Sequence, residues 1–572
     1  MDELKYAQLI AANRQLQNKF SGEPLKILLI SNAAVGLAKE FIEYELSING
    51  IFARVDLGDY DNLVQQTFEI KHDVLLVFFE TWNLTPALYT EISLNPDSQA
   101  LEDYIRQQIT TIAQNAQNIP LVVFNTFMGH FDQGFPFQFS PLKGLAFNLN
   151  QFLFSFNQPN LIIFDTSELL YQLSGQQALS RKTFYQFNTP YSHKFFRLYS
   201  HYFKFLILNL KGKTKKGLVL DCDNTLWNGI VGEEGINGLK MAFDQPQGRP
   251  FFEVQRMILS LARSGVIIAL CSKNNPDDIQ QVLDEHPDLQ VRDKDIVLKK
   301  INWKPKPENL REIASELNLG LDSLVFWDDS DFEISMMKDN LPEVLSLQVP
   351  QNIHDYSDFF RSQMGWFFKS NTTAEDGEKT RLYKQEAVRR QESNKYRDLS
   401  HFLSDLNLEI IIENNPAEHL DRLAQLTQKT NQFNLSTQRY ARSDLESFLS
   451  RRDTELIAFR VKDRFGDYGI TGLCMLAYPS KGKAVADTWL MSCRILGRQI
   501  EDAFLGFLIN HLNKKQISHL SMPFVSSLKN SQVAEFLTNK GFEKSLISTG
   551  QIDYFCNPEV FSIPKTNFII IT

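Results

Sequence analysis

The sequence predicts a multidomain α/β protein, and three observations carry that prediction. The chain has 572 residues, which at about 150 residues per domain points to three or four domains. Hydrophobic residues make up 43% and charged residues 22%, a balance that fills several cores and argues against long disordered tracts. Strand-length apolar runs alternate with helical patterns over most of the chain, which is how βαβ units around parallel sheets read.

Taken in order, residues 26–31 (KILLIS) are a buried strand, 37–47 a helix, and 51–55 a strand after the Asn49-Gly50 turn. Further strands are expected at 73–79, 120–125 and 160–165, with helical periodicity over 101–117. Ligands of such sheets bind beyond the carboxyl ends of strands, here Ser31-Asn32 and Asn125-Thr126. The pattern repeats with strand 217–221, helix 251–264, strand 266–272, helix 307–317 and strand 323–328. Residues 369–379 (KSNTTAEDGEK) read as a linker, followed by a charged helix to 402. Beyond 408 the pattern is mixed, with strands at 455–462, 469–477 and 485–493 and a helix at 499–513. Domains are therefore expected at 1–210, 213–367 and 381–572, joined by a linker at 368–380.

Composition excludes several functions. A net charge of −9 leaves no global basic field for nucleic acid. Five cysteines without a CxxC pair form neither a disulfide framework nor a zinc ribbon, which favours a reducing cytoplasm. The start Met1-Asp2-Glu3-Leu4-Lys5 lacks signal-peptide character, and no apolar run approaches the roughly 20 residues that span a bilayer. Gly212-Lys213-Thr214 echoes a phosphate loop, but Ile207 stands where that motif needs glycine. The basic run 211–216 and the charges at 379–397 read as solvated faces, with a landing patch for an acidic carrier protein as the lesser alternative.

The most informative stretch is Leu218-Val219-Leu220-Asp221-Cys222-Asp223-Asn224-Thr225, an apolar strand ending in two aspartates and a threonine. One ionised carboxylate there can attack phosphorus while its neighbour protonates the leaving oxygen. Such oxygens also suit Mg²⁺. A lone pair of this kind is common by chance, but three complementary pieces follow in order. Strand 266–271 ends in Ser272-Lys273, Lys304 and Lys306 precede a helix, and strand 323–327 ends in Asp328-Asp329.

These motifs resemble the haloacid-dehalogenase (HAD) superfamily. More narrowly they resemble its FkbH-like branch, through DCDNTLWNGIVGEEG (221–235), CSKNNPDD (271–278), INWKPKPENL (301–310) and VFWDDSDFE (325–333). The resemblance implies a Rossmann-like domain with a minimal cap, Asp221 as nucleophile and Asp223 as general acid and base. It further implies that Thr225 and Ser272 hold phosphoryl oxygens, and that Lys306 stabilises the phospho-aspartate, with Lys304 as the alternative lysine. Mg²⁺ would be bound by Asp221, Asp329 and the backbone carbonyl of Asp223, leaving Asp328 to act through water. Asn228 departs from the glycine of the family pattern, although Gly229 follows it.

The C-terminal motifs are LTQKTNQFN (426–434), DRFGDYG (463–469), MSCRILGR (491–498), Lys529-Asn530 and Gly541-Phe542. They resemble the GNAT acyltransferase α+β fold and the second half of FkbH-like proteins. There the turn and the following helix N-terminus bind a pyrophosphate through backbone amides, here around Arg494, Gly497 and Arg498. Gln499 replaces the small residue of the usual pattern, which favours phosphopantetheine presented on a carrier protein over acetyl-CoA. Cys493 lies between a strand end and a helix start, beside Arg494 and Arg498. It reads either as a nucleophilic thiolate or as a small buried residue. The N-terminal block resembles an SGNH-like three-layer sandwich without its nucleophile motif. Ser31 with His193 could imitate a hydrolase pair but is read as a loop serine and a satisfied histidine, and a docking or scaffold role is expected.

The resemblance implies a glyceryl transferase/phosphatase using 1,3-bisphosphoglycerate, a small phosphorylated acyl donor, and an acyl carrier protein in a natural-product or polysaccharide pathway. The alternative it leaves is a Mg²⁺-dependent phosphatase fused to an acyl-CoA-dependent N- or O-acyltransferase acting on a sugar. A third reading is an assembly scaffold.

Overall fold

The computed structural model describes residues 6–60, 62–83, 99–129, 141–370, 381–385, 403–527, 529–548, 550–563 and 569–572. Most of the expected linker and charged helix, residues 371–380 and 386–402, lies outside them. The chain forms two compact units, Met1–Leu210 and Lys211–Thr572, of mixed α/β architecture. Among the described residues no helix is long and apolar enough to cross a membrane.

Among its described residues the first unit holds five strands: β1 (Leu25–Ser31), β2 (Ala53–Leu57), β3 (Val74–Phe78), β4 (Leu121–Asn125) and β5 (Leu161–Phe164). Their order is β2-β1-β3-β4-β5 and every pairing is parallel. β3 (VLLVF) and β4 (LVVFN) are buried at every position, the uninterrupted apolar pattern of strands covered on both faces. Polar groups at the carboxyl ends of β1 and β4 have internal partners, although Asn125 Nδ2 is buried with none among the described residues. Asn32 donates to the Glu80 carbonyl at 2.9 Å and accepts from its amide at 2.7 Å, and Asn125 accepts from the Tyr199 hydroxyl at 3.0 Å. The Ser31 hydroxyl accepts from the Ala33 amide, while His193 opens a helix and stacks on Tyr6 with ring centroids 5.2 Å apart. Each therefore has its own local partner.

The second unit contains two sheets. β6 (Gly217–Leu220), β7 (Ile267–Ser272), β8 (Leu298–Ile301), β9 (Leu324–Asp328) and β10 (Leu345–Gln348) are parallel in the order β10-β9-β6-β7-β8. The helix Arg249–Arg263 buries Phe251, Val254, Ile258 and Leu261 on one face, and Gly265 with φ +81° lets the chain reverse into β7. Helix Pro276–Glu285 has Pro276 in its first turn and is capped by the Asn275 side chain on the Asp277 amide.

The larger sheet comprises β11 (Leu408–Asn414), β12 (Phe433–Asn434), β13 (Thr454–Asp463), β14 (Gly466–Ser480), β15 (Lys483–Met491), β16 (His519–Val525), β17 (Glu543–Ser548), β18 (Gln551–Cys556) and β19 (Ile569–Ile571). Its main path is β17-β18-β16-β15-β14-β13-β11-β19. The parallel pair β15–β16 is joined only over 483–485 and 519–521. Beyond that point the strands are bridged by the chain itself. Phe433 and Asn434 pair with Met491 and Leu490, the Leu435 amide donates to the Trp489 carbonyl, and the Val525 amide donates to the Leu435 carbonyl.

Glu455 on β13 shows how this half holds a buried charge. Its carboxylate accepts from Lys515 at 2.9 Å, lies 3.0 Å from His511 Nε2, and also accepts from the Tyr478 hydroxyl. Burial opposes the charge, but these partners hold the carboxyl down to about 2. A depressed carboxyl adds stability that is complete above its unfolded value of 4.5 and is lost as pH falls towards 2. Glu455→Gln should therefore cost about 1–3 kcal/mol at pH 7, and its deficit in urea unfolding should shrink steadily below pH 4.5. A deficit that persists unchanged at pH 3 would contradict this.

Candidate active site

The central strand β6 ends at Leu220, so Asp221 leaves the sheet between its neighbours β9 and β7. The Asp221 amide still donates to the Trp327 carbonyl at 2.9 Å, which fixes its backbone beside Asp328. Lys306 is the first residue of helix Lys306–Glu316, and its ammonium enters the same space. It donates to Asp221 Oδ1 at 2.8 Å and to Asp328 Oδ2 at 2.6 Å. All three side chains are at most 8% exposed. Lys304, two residues earlier, is exposed and pairs with Glu312 at 3.1 Å. Of the two candidate lysines, only Lys306 reaches the aspartates.

Asp221, Asp328 and Asp329 each offer an oxygen within 4.8 Å of the others. Three carboxylates face one ammonium, and burial together with the surplus negative charge shows in two of them. Burial and the neighbouring Asp221 raise Asp328 to about 6, against the pull of Lys306. Asp329 is likewise raised, by burial first and then by Asp221. Burial opposes the charge of Lys306, yet Asp221 and Asp328 hold it above the ordinary lysine range. A cluster of hard oxygens with surplus negative charge is the donor set a divalent cation such as Mg²⁺ requires. Asp328, expected to act only through water, is a member of this cluster and the partner of Lys306.

Asp223 is held apart. Its Oδ1 accepts from the Trp227 indole at 2.9 Å and from the Val231 amide at 3.2 Å, while its Oδ2 accepts from Asn274 at 2.8 Å. Asn274 also approaches the Ser272 hydroxyl at 3.4 Å. The sequence motifs do not single out Asn274, although its place in the polar run closing β7 was the available signal. Asn224, with φ +52°, and Gly229, with φ +113°, turn the loop, and the Gly229 amide donates to Asn224 Oδ1 at 3.1 Å. The φ of +113° at Gly229 is one that L side chains rarely adopt, so glycine is favoured there whatever occupies 228. The Thr225 hydroxyl is buried and has no hydrogen-bond partner among the described residues, a cost unless an acceptor enters the site.

The C-terminal residues fall into two groups. Ser492 and Arg494 line a cavity, whereas Gly497 and Arg498 are turned to internal partners. The Gly497 amide donates to the Glu501 carboxylate at 3.2 Å. Arg498 is buried, donates to the Arg494 carbonyl at 2.8 Å and to the Tyr468 hydroxyl, and lies 3.8 Å from Asp463. A pyrophosphate on this turn would have to displace the protein's own carboxylate. Gln499 takes φ +60° just before helix Ile500–Lys514. Cys493 opens a short 3-10 turn, and its side chain lies outside the described residues. Burial pushes the thiols of Cys222 and Cys474 well up and those of Cys271 and Cys556 to about 12, so none of these four is a ready nucleophile.

Scans against family models and curated proteins find no match. Among solved structures, the chain is similar to the N-terminal part of a Bacteroides fragilis protein containing a phosphatase domain, complexed with Mg. The two are 25% identical, with a TM-score of 0.58 over 64% of this chain and 100% of that one. The ribosomal-protein-S18-alanine N-acetyltransferase of Escherichia coli matches at 13% identity and a TM-score of 0.21, over 28% of this chain and 97% of that one. A chimeric spermidine N-acetyltransferase from Vibrio cholerae matches at 10% identity and a TM-score of 0.22, over 27% and 97% respectively. At such scores neither acetyltransferase bears on the chemistry of this chain.

Proposed function

We propose that the chain is a phosphatase fused to an acyltransferase, which loads a glyceryl unit from 1,3-bisphosphoglycerate onto an acyl carrier protein in the cytoplasm. The convergence of Asp221, Lys306, Asp328 and Asp329 beside a separately held Asp223 carries the phosphatase part. In this reading an Asp221 oxygen attacks phosphorus, the bond to the leaving oxygen breaks, and Asp223 supplies that oxygen's proton. Asp223 then takes a proton from the water that cleaves the aspartyl phosphate. Thr225 and Ser272 donate to phosphoryl oxygens, and Lys306 balances the charge that Asp221 loses and regains. Mg²⁺ held by Asp221, Asp329 and the Asp223 carbonyl, with Asp328 nearby, would neutralise the phosphoryl group. The Mg-complexed phosphatase domain among the similar structures supports this assignment.

For the transfer half, the Cys493 thiolate attacks the acyl carbon of the acyl phosphate. A C–S bond forms, the C–O bond to phosphate breaks, and the thioester passes to the phosphopantetheine thiol of the carrier. The internal bonds at Gly497 and Arg498 disfavour the acyl-CoA alternative. Intact-protein mass spectrometry after mixing with 1,3-bisphosphoglycerate and Mg²⁺ tests the scheme. A glyceryl adduct is expected on wild type, a phosphoglyceryl adduct on Asp221→Asn, and none on Cys493→Ala. An adduct that survives in Cys493→Ala would remove the thiol assignment. No adduct on a wild type that still hydrolyses phosphate esters would remove the donor.

A further inference from the structure

A second chemical feature lies within the Lys211–Thr572 unit, well away from Asp221. It is a cavity of about 310 Å³. One wall is built from segments that enter the phosphatase sheet. Lys215 and Lys216 directly precede β6, Gly265 stands just before β7, and residues 319–323 lead into β9. Those strands carry Asp221, Ser272 and Asp328 at their other ends. The cavity and the carboxylate cluster thus lie at opposite ends of the same central strands, roughly 13 Å or more apart along them. The facing wall comes from the end of helix Leu420–Lys429, the loop behind it, and the turn after β15 that contains Cys493.

The charge of this cavity is lopsided. Lys215, Lys216 and Lys369 face it from the phosphatase side, and Arg422, Lys429, Arg494 and Lys529 from the other. Asp322 is the one carboxylate among the described lining residues. Lys215 donates to the Asp322 carbonyl at 2.7 Å and Lys216 to the Lys429 carbonyl at 3.1 Å, while Lys529 pairs with the Asp322 carboxylate. Burial pushes Lys215 down to about 8 despite Asp322, with Lys529 adding repulsion. The run 211–216, expected to be a solvated face, therefore turns two of its lysines inward. In a chain of net charge −9, such a surplus of cations among the described residues around a half-open cavity suits an anion.

We propose that this cavity binds the phosphate group of the acyl-transfer substrate, and that lysines of the phosphatase half complete the site. The need for an anion rests on the charge and shape of the cavity, while the identity of its carrier molecule rests on the transfer reading above. The volume suits a small phosphate ester, free or at the end of a slender arm. Thr430, Asn431 and Ser492 add neutral hydrogen-bonding groups beside the cations. The phosphate held here during transfer cannot at the same time reach Asp221, so transfer and dephosphorylation are separate binding events on one chain.

Two phosphate esters fit this chemistry, the free donor and the phosphopantetheine arm of the carrier. Calorimetric titration of the full chain in EDTA separates them, using 3-phosphoglycerate in one arm and 4′-phosphopantetheine in the other. Without metal the Asp221 cluster repels phosphate, so saturable binding reports on the cavity. Wild type is expected to bind one equivalent of at least one ester, more weakly as salt rises. Lys215→Gln combined with Lys429→Gln should weaken it by about tenfold or more. Lys529→Gln, at a half-exposed position, serves as a second variant should the double one melt early. Absence of binding in both arms, or binding indifferent to both variants, overturns the proposal. An adduct in the mass-spectrometric test would in that event leave the transfer reading standing. Lysine-dependent binding without an adduct would support the anion site while removing the donor.

Discussion

Asp221→Asn is expected to lower turnover of a phosphate monoester by about 10³-fold or more without unfolding the chain. The amide keeps the shape of the side chain but cannot form an aspartyl phosphate. Lys306 would still be held by Asp328 at 2.6 Å, so no buried ammonium is left without a carboxylate. The variant also removes one of three crowded negative charges, and Asp328, raised to about 6 by burial and Asp221, should move back towards the ordinary carboxylate range. In EDTA the thermal midpoint should therefore equal or exceed that of wild type. Added Mg²⁺ should stabilise wild type more than the variant, because the cation binds the folded state through the carboxylate now missing. Retention of a tenth of the activity would remove Asp221 as nucleophile. A large loss of stability in EDTA would instead mark it as a structural ion-pair partner.

Much of this site was legible because its residues sit at strand ends. An apolar run that stops in Asp-x-Asp, or in Ser-Lys, carries in one line both the strand and the group it delivers. The choice between Lys304 and Lys306 was not legible by the same means. Both precede the same helical pattern, and only the start of the helix at Lys306 decides which one is buried. Asn274 escaped because its role is to hold Asp223, across 51 positions, a relation with no local spacing. In the C-terminal half the Arg494, Gly497 and Arg498 pattern was visible, but its engagement was not. Glu501 is one helical turn from Gly497, and nothing in the sequence says that its carboxylate folds back onto that amide. The cationic cavity was least legible of all, since Lys215 and Lys529 are brought together across more than three hundred residues and each reads alone as a surface lysine.

Lys306→Ala should have the largest effect on stability of any single change at this site, and the reason separates it from Lys304→Ala. Lys306 is the one described cation that donates to both Asp221 and Asp328, and all three groups are buried. Removing it leaves two carboxylates without their partner in a region water scarcely reaches, a change that typically costs about 3–5 kcal/mol. Lys304 forms an exposed pair with Glu312, and its loss should cost about 0–1 kcal/mol. Urea unfolding in EDTA should show this contrast. Mg²⁺ should restore part of the Lys306→Ala deficit, because a divalent cation meets the same unpaired oxygens, but it should not restore phosphatase turnover if the ammonium balances charge during phosphoryl transfer. The double variant Asp221→Asn/Lys306→Ala should be more stable than the sum of its single changes predicts, by about 1–2 kcal/mol, since one of the stranded charges is gone. Strict additivity would mean that the 2.8 Å contact contributes little, and that burial of Asp328 alone sets the cost of losing Lys306.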